Sequence, residues 1–128
     1  MQIGEVAERT GLSLRSIRYY GEVGLVEPSA RSQGGFRLYT EPDVERLKLI
    51  MRMKPLDFTL EEMGELLAIL DGLHAEAGDA ESSLLLERLA VYRVAAEERS
   101  LALREQLRVA EEFRRYIQDA ATRVDAQS

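Results

Sequence analysis

The sequence predicts a mainly α-helical chain: a small N-terminal unit of short helices carrying one β hairpin, followed by a single long helix. Three observations carry this prediction. Apolar residues recur at i, i+3 and i+4 through several segments. Gly21, Gly24, Pro28, Gly34 and Gly35 punctuate a stretch poor in helix signals. Residues 82–122 contain neither glycine nor proline.

Ile3, Val6 and Ala7 fall at helical spacing. "TGLS" interrupts them, with Gly11 offering a turn and Ser13 able to cap a second helix over 14–20. Leu14 and Ile17 form the inner face of that helix. Two short helices joined by a glycine turn make a helix-turn-helix pattern. The pieces "GLVE" and "FRLY", on either side of "PSARSQGG", read as a small hairpin. Thr40 and Asp43 sit three residues apart at the start of the next helix, and Pro42 suits its first turn. Val44, Leu47, Ile50 and Met51 give that helix its apolar face, and Pro55 ends it. Thr59 and Glu62 have the spacing of a second capping box. Met63, Leu66, Leu67 and Leu70 follow, with Gly72 as the expected stop. Residues 72–81 read as a linker.

The 82–122 stretch is long enough for roughly ten turns at 3.6 residues each. With Leu86 at heptad position a, position d reads Leu89, Ala96, Leu103, Ala110 and Ile117. Position a is half polar, with Leu107 its next leucine, so the expected coiled coil has an uneven interface. A helix this long cannot cover its own apolar stripe, and a second copy of the chain is the simplest partner. Residues 123–128 read as a flexible tail.

Charge is laid out unevenly. The chain totals −6, yet residues 1–54 hold nine basic and seven acidic groups, a net of +2, and the remainder has a net of −8. The first segment is therefore the candidate anion-binding surface. The absence of cysteine excludes disulfides and thiolate metal sites. No apolar run is long enough to span a bilayer, and the start lacks the apolar core of a signal peptide. A soluble cytoplasmic protein with no membrane association is expected.

Arg15, Ser16, Arg18 and Tyr19 lie on or beside the exposed face of the second helix. A helix fits the major groove of DNA, where arginine can pair with guanine and serine can contact several base edges. Along "FRLY", strand alternation places Arg37 and Tyr39 on one side, available to phosphates, and Phe36 and Leu38 on the other. Tyr20 reads equally as a contact or as core, because it points about 100° away from Tyr19. Arg31 reads equally as a contact or as a solvated loop residue.

The run "RYYGEVGLVEPSARSQGGFRLYTEPDVERL" resembles the winged helix-turn-helix of the MerR family of bacterial transcription regulators. That pattern has an arginine with paired aromatics, then Gly-Leu, Pro, Arg and a Gly-aromatic-Arg-x-Tyr wing. Here these are Arg18, Tyr19, Tyr20, Gly24, Leu25, Pro28, Arg31, Gly35, Phe36, Arg37 and Tyr39. "DFTLEEMGELL" resembles the fourth helix of that family. The resemblance implies a DNA-binding domain over residues 1–71 and an antiparallel coiled-coil dimerisation helix over 82–122. It adds Lys54, at a helix end, to the DNA contacts. It further implies a homodimer that bends and untwists double-stranded promoter DNA, a readout through deformation energy. RNA polymerase and an unidentified small-molecule effector are further partners that it suggests.

Two other readings remain open at this stage. One is an architectural, excisionase-like DNA-bending protein, and the other is a coiled-coil interaction module. Phe113 and Tyr116, next to Ile117, could line a small-molecule pocket, although such a cluster is more often packing. His74 is the only histidine, and a solvated side chain is the expectation there. No metal, no cofactor and no catalytic set are expected.

Overall fold

The computed structural model describes residues 1–75 and 78–127. The chain divides into two compact units, Met1–Leu89 and Ala90–Ser128. In the first, α1 (Ile3–Thr10) and α2 (Leu14–Glu22) precede a two-stranded antiparallel sheet of β1 (Ala30–Arg31) and β2 (Arg37–Leu38). Then come α3 (Glu41–Met53), a 3-10 turn (Lys54–Leu56) and α4 (Leu60–His74). The last helix, α5 (Asp79–Gln127), begins in the first unit and makes up the described part of the second.

Local chemistry accounts for the element boundaries. Gly11 closes α1 at φ +77°, a left-handed conformation that costs glycine little, and its N–H donates to the carbonyl of Ala7. The Ser13 hydroxyl accepts the Ser16 N–H and so starts α2. Both Thr-x-x-acid boxes form: Thr40 with Asp43 opens α3, and Thr59 with Glu62 opens α4. Each such cap stabilises its helix by about 1 kcal/mol. Asp57 holds φ +58° after the 3-10 turn and redirects the chain into α4. Aspartate tolerates this conformation better than most residues.

One core binds the first unit. Val6, Ile17, Val44, Leu47, Ile50 and Ile69 are fully buried, one or more from each of α1 to α4. Burying each side chain stabilises the fold by about 1.5–3 kcal/mol. At the surface, both terminal guanidinium nitrogens of Arg9 on α1 donate to Glu41 on α3, at 2.5 and 2.7 Å. Arg46 pairs with Asp71 between α3 and α4.

Four expectations need correction. "GLVE" is not a strand. Gly24 adopts φ +75°, and the N–H groups of Leu25 and Val26 turn back to the Tyr20 carbonyl as a cap on α2. The first strand is instead Ala30–Arg31, paired with Leu38 and Arg37. Leu14, expected inside, is 40% exposed. Gly72 does not stop α4, which runs to His74. A Cβ there would lie 2.8 Å from Leu85, so Gly72 serves close packing against α5. Finally, α5 is longer at both ends than 82–122, starting at Asp79 and continuing to Gln127. Asp79 and Glu81 favour its N-terminal end, and no glycine or proline interrupts it later. The expected linker therefore shrinks, and its centre, residues 76 and 77, lies outside the described residues.

Candidate nucleic-acid interface

The Ser13 cap and the burial of Ile17 and Tyr20 fix which side of α2 faces out. Arg15, Arg18 and Tyr19 occupy that exposed side. Ser16 is half-buried, and its hydroxyl lies 3.0 Å from that of Ser13. Among the described residues, no carboxylate pairs with Arg15, Arg18 or Arg37. Elsewhere in this unit, Arg9, Arg46, Lys48 and Arg88 all have acidic partners. Arg52 on α3 is likewise without a carboxylate partner among the described residues, so the unpaired cations are concentrated around α2 but not confined to it.

Two clefts flank α2. One, of about 570 Å³, includes Arg15, Ser16, Tyr19, Lys54 and Thr59 in its lining. Lys54 reaches it because its ammonium sits 5.3 Å from the centre of the Tyr20 ring, a cation–π contact. The other cleft, of about 630 Å³, runs between α2 and the hairpin and is lined in part by Arg18, Phe36, Arg37 and Tyr39. On the hairpin, Arg31 stands directly opposite Arg37. Like charges paired across strands are unfavourable unless an anion lies between or beside them. Among the described residues, the Arg31 side chain makes only a long contact, 3.4 Å, to the Gly35 carbonyl.

Two aromatic residues of the hairpin region are placed differently from the expectation. Phe36, expected inside, is 72% exposed, and Tyr39, expected to face phosphates, is 6% exposed. Strands of two residues are too short to impose alternation on their neighbours. Phe36 belongs to the turn, where its N–H donates to the Ser32 hydroxyl and its carbonyl accepts the Ser32 N–H. Tyr39 lies beyond β2, and its backbone pairs with Met1, its N–H donating at 2.7 Å. Burial pushes the Tyr39 hydroxyl above its ordinary pKa, and Asp43 adds to this, while Arg37 and Arg18 oppose it. Tyr20 is also core, at 3% exposure, with its ring 5.8 Å from that of Tyr19.

Sequence reasoning undervalued Asp43. It marks a helix start in the sequence, but in the structure it is 2% exposed and accepts three hydrogen bonds. Only the small polar Ser29, distant in sequence, could have hinted at that role.

The dimerisation candidates all lie on α5. Leu86 and Leu89 belong to the first unit, and Ala96, Leu103, Leu107, Ala110 and Ile117 to the second. Leu86, Leu103, Leu107 and Ile117 are exposed in the single chain. So are Val91, Leu101, Val109, Phe113 and Tyr116, so the bare apolar surface is wider than the a/d seam. Phe113 and Tyr116 stack on each other, with centroids 6.4 Å apart. His74 falls in the last turn of α4 and is exposed. Among the described residues, no cluster of three or more His, Cys, Asp or Glu could hold a metal ion. No described helix is long and apolar enough to cross a membrane.

Comparison with known proteins adds the following. Residues 1–69 match the family description "MerR HTH family regulatory protein", and residues 44–120 match "MerR, DNA binding". The chain is 40% identical over 78 residues to the mercuric resistance operon regulatory protein of Bacillus cereus, covering 61% of this chain and 59% of that one. It is 36% identical to the HTH-type transcriptional regulator CueR of Salmonella typhi, covering 84% of this chain and 76% of that protein. A solved MerR-family regulator from Bacillus cereus superposes with a TM-score of 0.56 at 30% identity, over 87% of this chain and 72% of that one.

Proposed function

The chain belongs to the MerR family of helix-turn-helix regulatory proteins, and from that premise we propose that it is a homodimeric transcription regulator of the cytoplasm that bends and untwists promoter DNA. One observation carries the reading. Arg15, Arg18, Arg37 and Lys54 have no carboxylate partner among the described residues and surround the exposed face of α2. Cations held without acidic partners around a groove-sized helix suit a polyanion.

In this reading, Arg15 and Ser16 meet base edges in the major groove. Arg18, Arg37 and Lys54 hold phosphates on the two sides of α2, with Arg31 beside Arg37 on the hairpin doing the same, and these contacts set register without reading sequence. Tyr19 adds a neutral hydrogen bond. The apolar face of α5 pairs two copies, and the two DNA-binding units then grip two half-sites. Deforming the DNA between them costs energy, which contacts on both sides offset. The Bacillus cereus relative is named for mercuric resistance. The present chain has no cysteine, so any signal it takes is of a kind that does not need thiolate ligands.

The test is the affinity of the full chain for promoter fragments recovered by genomic binding, measured beside scrambled duplexes across a salt series. Tighter binding to the promoter fragment and a steep salt dependence are expected. Equal affinity for both duplexes would remove the sequence-specific role.

A further inference from the structure

A two-stranded hairpin with two-residue strands is not rigid by itself. The turn at its tip is closed by Ser32, whose carbonyl accepts the Gly35 N–H at 2.9 Å. Nothing in that turn fixes how the hairpin stands relative to α2. The fixing is done at the base. Ser29 immediately precedes β1, and Thr40 follows soon after β2. The Ser29 N–H donates to Asp43 Oδ2 at 3.1 Å, the Ser29 hydroxyl at 2.7 Å, and the Thr40 N–H at 2.8 Å. Both ends of the hairpin thus converge on one buried carboxylate oxygen. Asp43 is in turn seated in the first turn of α3, next to the fully buried Val44. The backbone pairing of Tyr39 with Met1 tethers the same junction from the other side.

We propose that Asp43 is a positioning residue for the wing: it ties both ends of the hairpin to α3 and so sets the direction in which Arg31 and Arg37 face the phosphate backbone. A charged acceptor suits this task, because hydrogen bonds to carboxylates are shorter and about twice as strong as neutral ones. The inference rests on the DNA-binding reading for its consequence, but not for its geometry.

The test is a double-mutant cycle on the full chain. Asp43→Asn keeps the size of the side chain, and Arg31→Ala/Arg37→Ala removes the cations it would aim. Binding to a random-sequence duplex is measured across a salt series. Asp43→Asn should weaken binding on the order of tenfold and lower the salt slope by up to about two units, one for each wing phosphate. In the Arg31→Ala/Arg37→Ala background it should change neither quantity. An equal loss in both backgrounds would overturn the proposal, since Asp43 would then act through general stability. If Asp43→Asn fails to fold, Ser29→Ala takes its place in the cycle, because it removes one of the three bonds to Asp43, together with the 3.0 Å contact to the Thr40 hydroxyl, and leaves the Thr40 and Asp43 side chains of the α3 capping box in place. Ser29→Thr, which keeps the hydroxyl, should restore wild-type binding. Hydrogen exchange separates the two readings. If the wild-type chain binds no duplex, the DNA-binding reading fails. The clamp then stands if residues 30–39 exchange faster in Asp43→Asn while α2 does not, and falls if wing exchange is unchanged.

Discussion

The α1–α4 unit and the part of α5 beyond Leu89 leave opposite things unfinished. The first builds one buried apolar core and leaves Arg15, Arg18 and Arg37 without acidic partners among the described residues. The second buries no side chain of α5, and Leu103, Leu107 and Ile117 face solvent. Both regions hold some surface ion pairs, Arg9 with Glu41 in the first and Arg108 with Glu105 and Glu112 in the second. What separates them is that one has a finished core beside bare cations and the other has a bare apolar arc. Each therefore calls for a different partner: an anion for the first, an apolar surface for the second.

The largest expected effect breaks the second half of that comparison. Leu103→Arg should place an unpaired charge in the α5 seam, and burying a charge without a partner is strongly unfavourable. Sedimentation should show monomers, and the helix content of α1–α4 should persist because its core is self-contained. An unchanged dimer would mean that the pairing face lies elsewhere on the wide apolar arc, with Val109, Phe113 and Tyr116 as the next residues to test.

The next effect tests the first half. Arg15→Ala should cost about 1–3 kcal/mol on the promoter fragment and relax its sequence preference. Arg37→Ala should weaken binding to every duplex and reduce the salt slope by about one unit. If the two variants behaved alike, α2 and the wing would not divide base reading from phosphate holding.

What the sequence could and could not reveal follows the same division between local and distant causes. Ser13, Thr40 with Asp43 and Thr59 with Glu62 cap helices through bonds spanning three residues, so their spacing alone locates the helix starts. The exposed cations of α2 are equally legible, because a helix face is a matter of period. Tyr39 was misplaced because strand alternation presupposes a strand, and here only Arg37 and Leu38 are paired. Gly72 looks like a stop until Leu85, which is far along the chain, is seen to fill the space beside it. The clamp on Asp43 depends on Ser29, and no period links the two.

A smaller effect concerns the caps themselves. Thr59→Ala should destabilise the first unit by about 1 kcal/mol in denaturant titrations. It should not shift the dimer equilibrium, because α4 is completed within its own unit. A change in dimerisation instead would show that α4 and the α5 seam are energetically linked.

The smallest effect distinguishes the carboxylates of the two regions by acid and salt. For Asp43, burial alone would push the carboxyl up. The hydrogen bonds from Thr40 and Ser29 outweigh that and hold it below its ordinary value. A folded-state pKa below the unfolded one adds stability that is present above about pH 4 and is lost as pH falls through the lowered value. For Glu105, the hydrogen bond from Arg108 produces the same direction of shift, but on an exposed side chain. The difference between the sites is screening. Added salt weakens an exposed ion pair and leaves a buried, hydrogen-bonded carboxylate nearly untouched. The stability gap between wild type and Asp43→Asn, followed by denaturant midpoints, should therefore close as pH drops below 4 and should be the same in low and high salt. The corresponding gap for Glu105→Gln should be small in low salt and vanish in high salt. A salt-sensitive gap for Asp43→Asn would place its carboxylate in contact with solvent and would weaken the case that it anchors the wing.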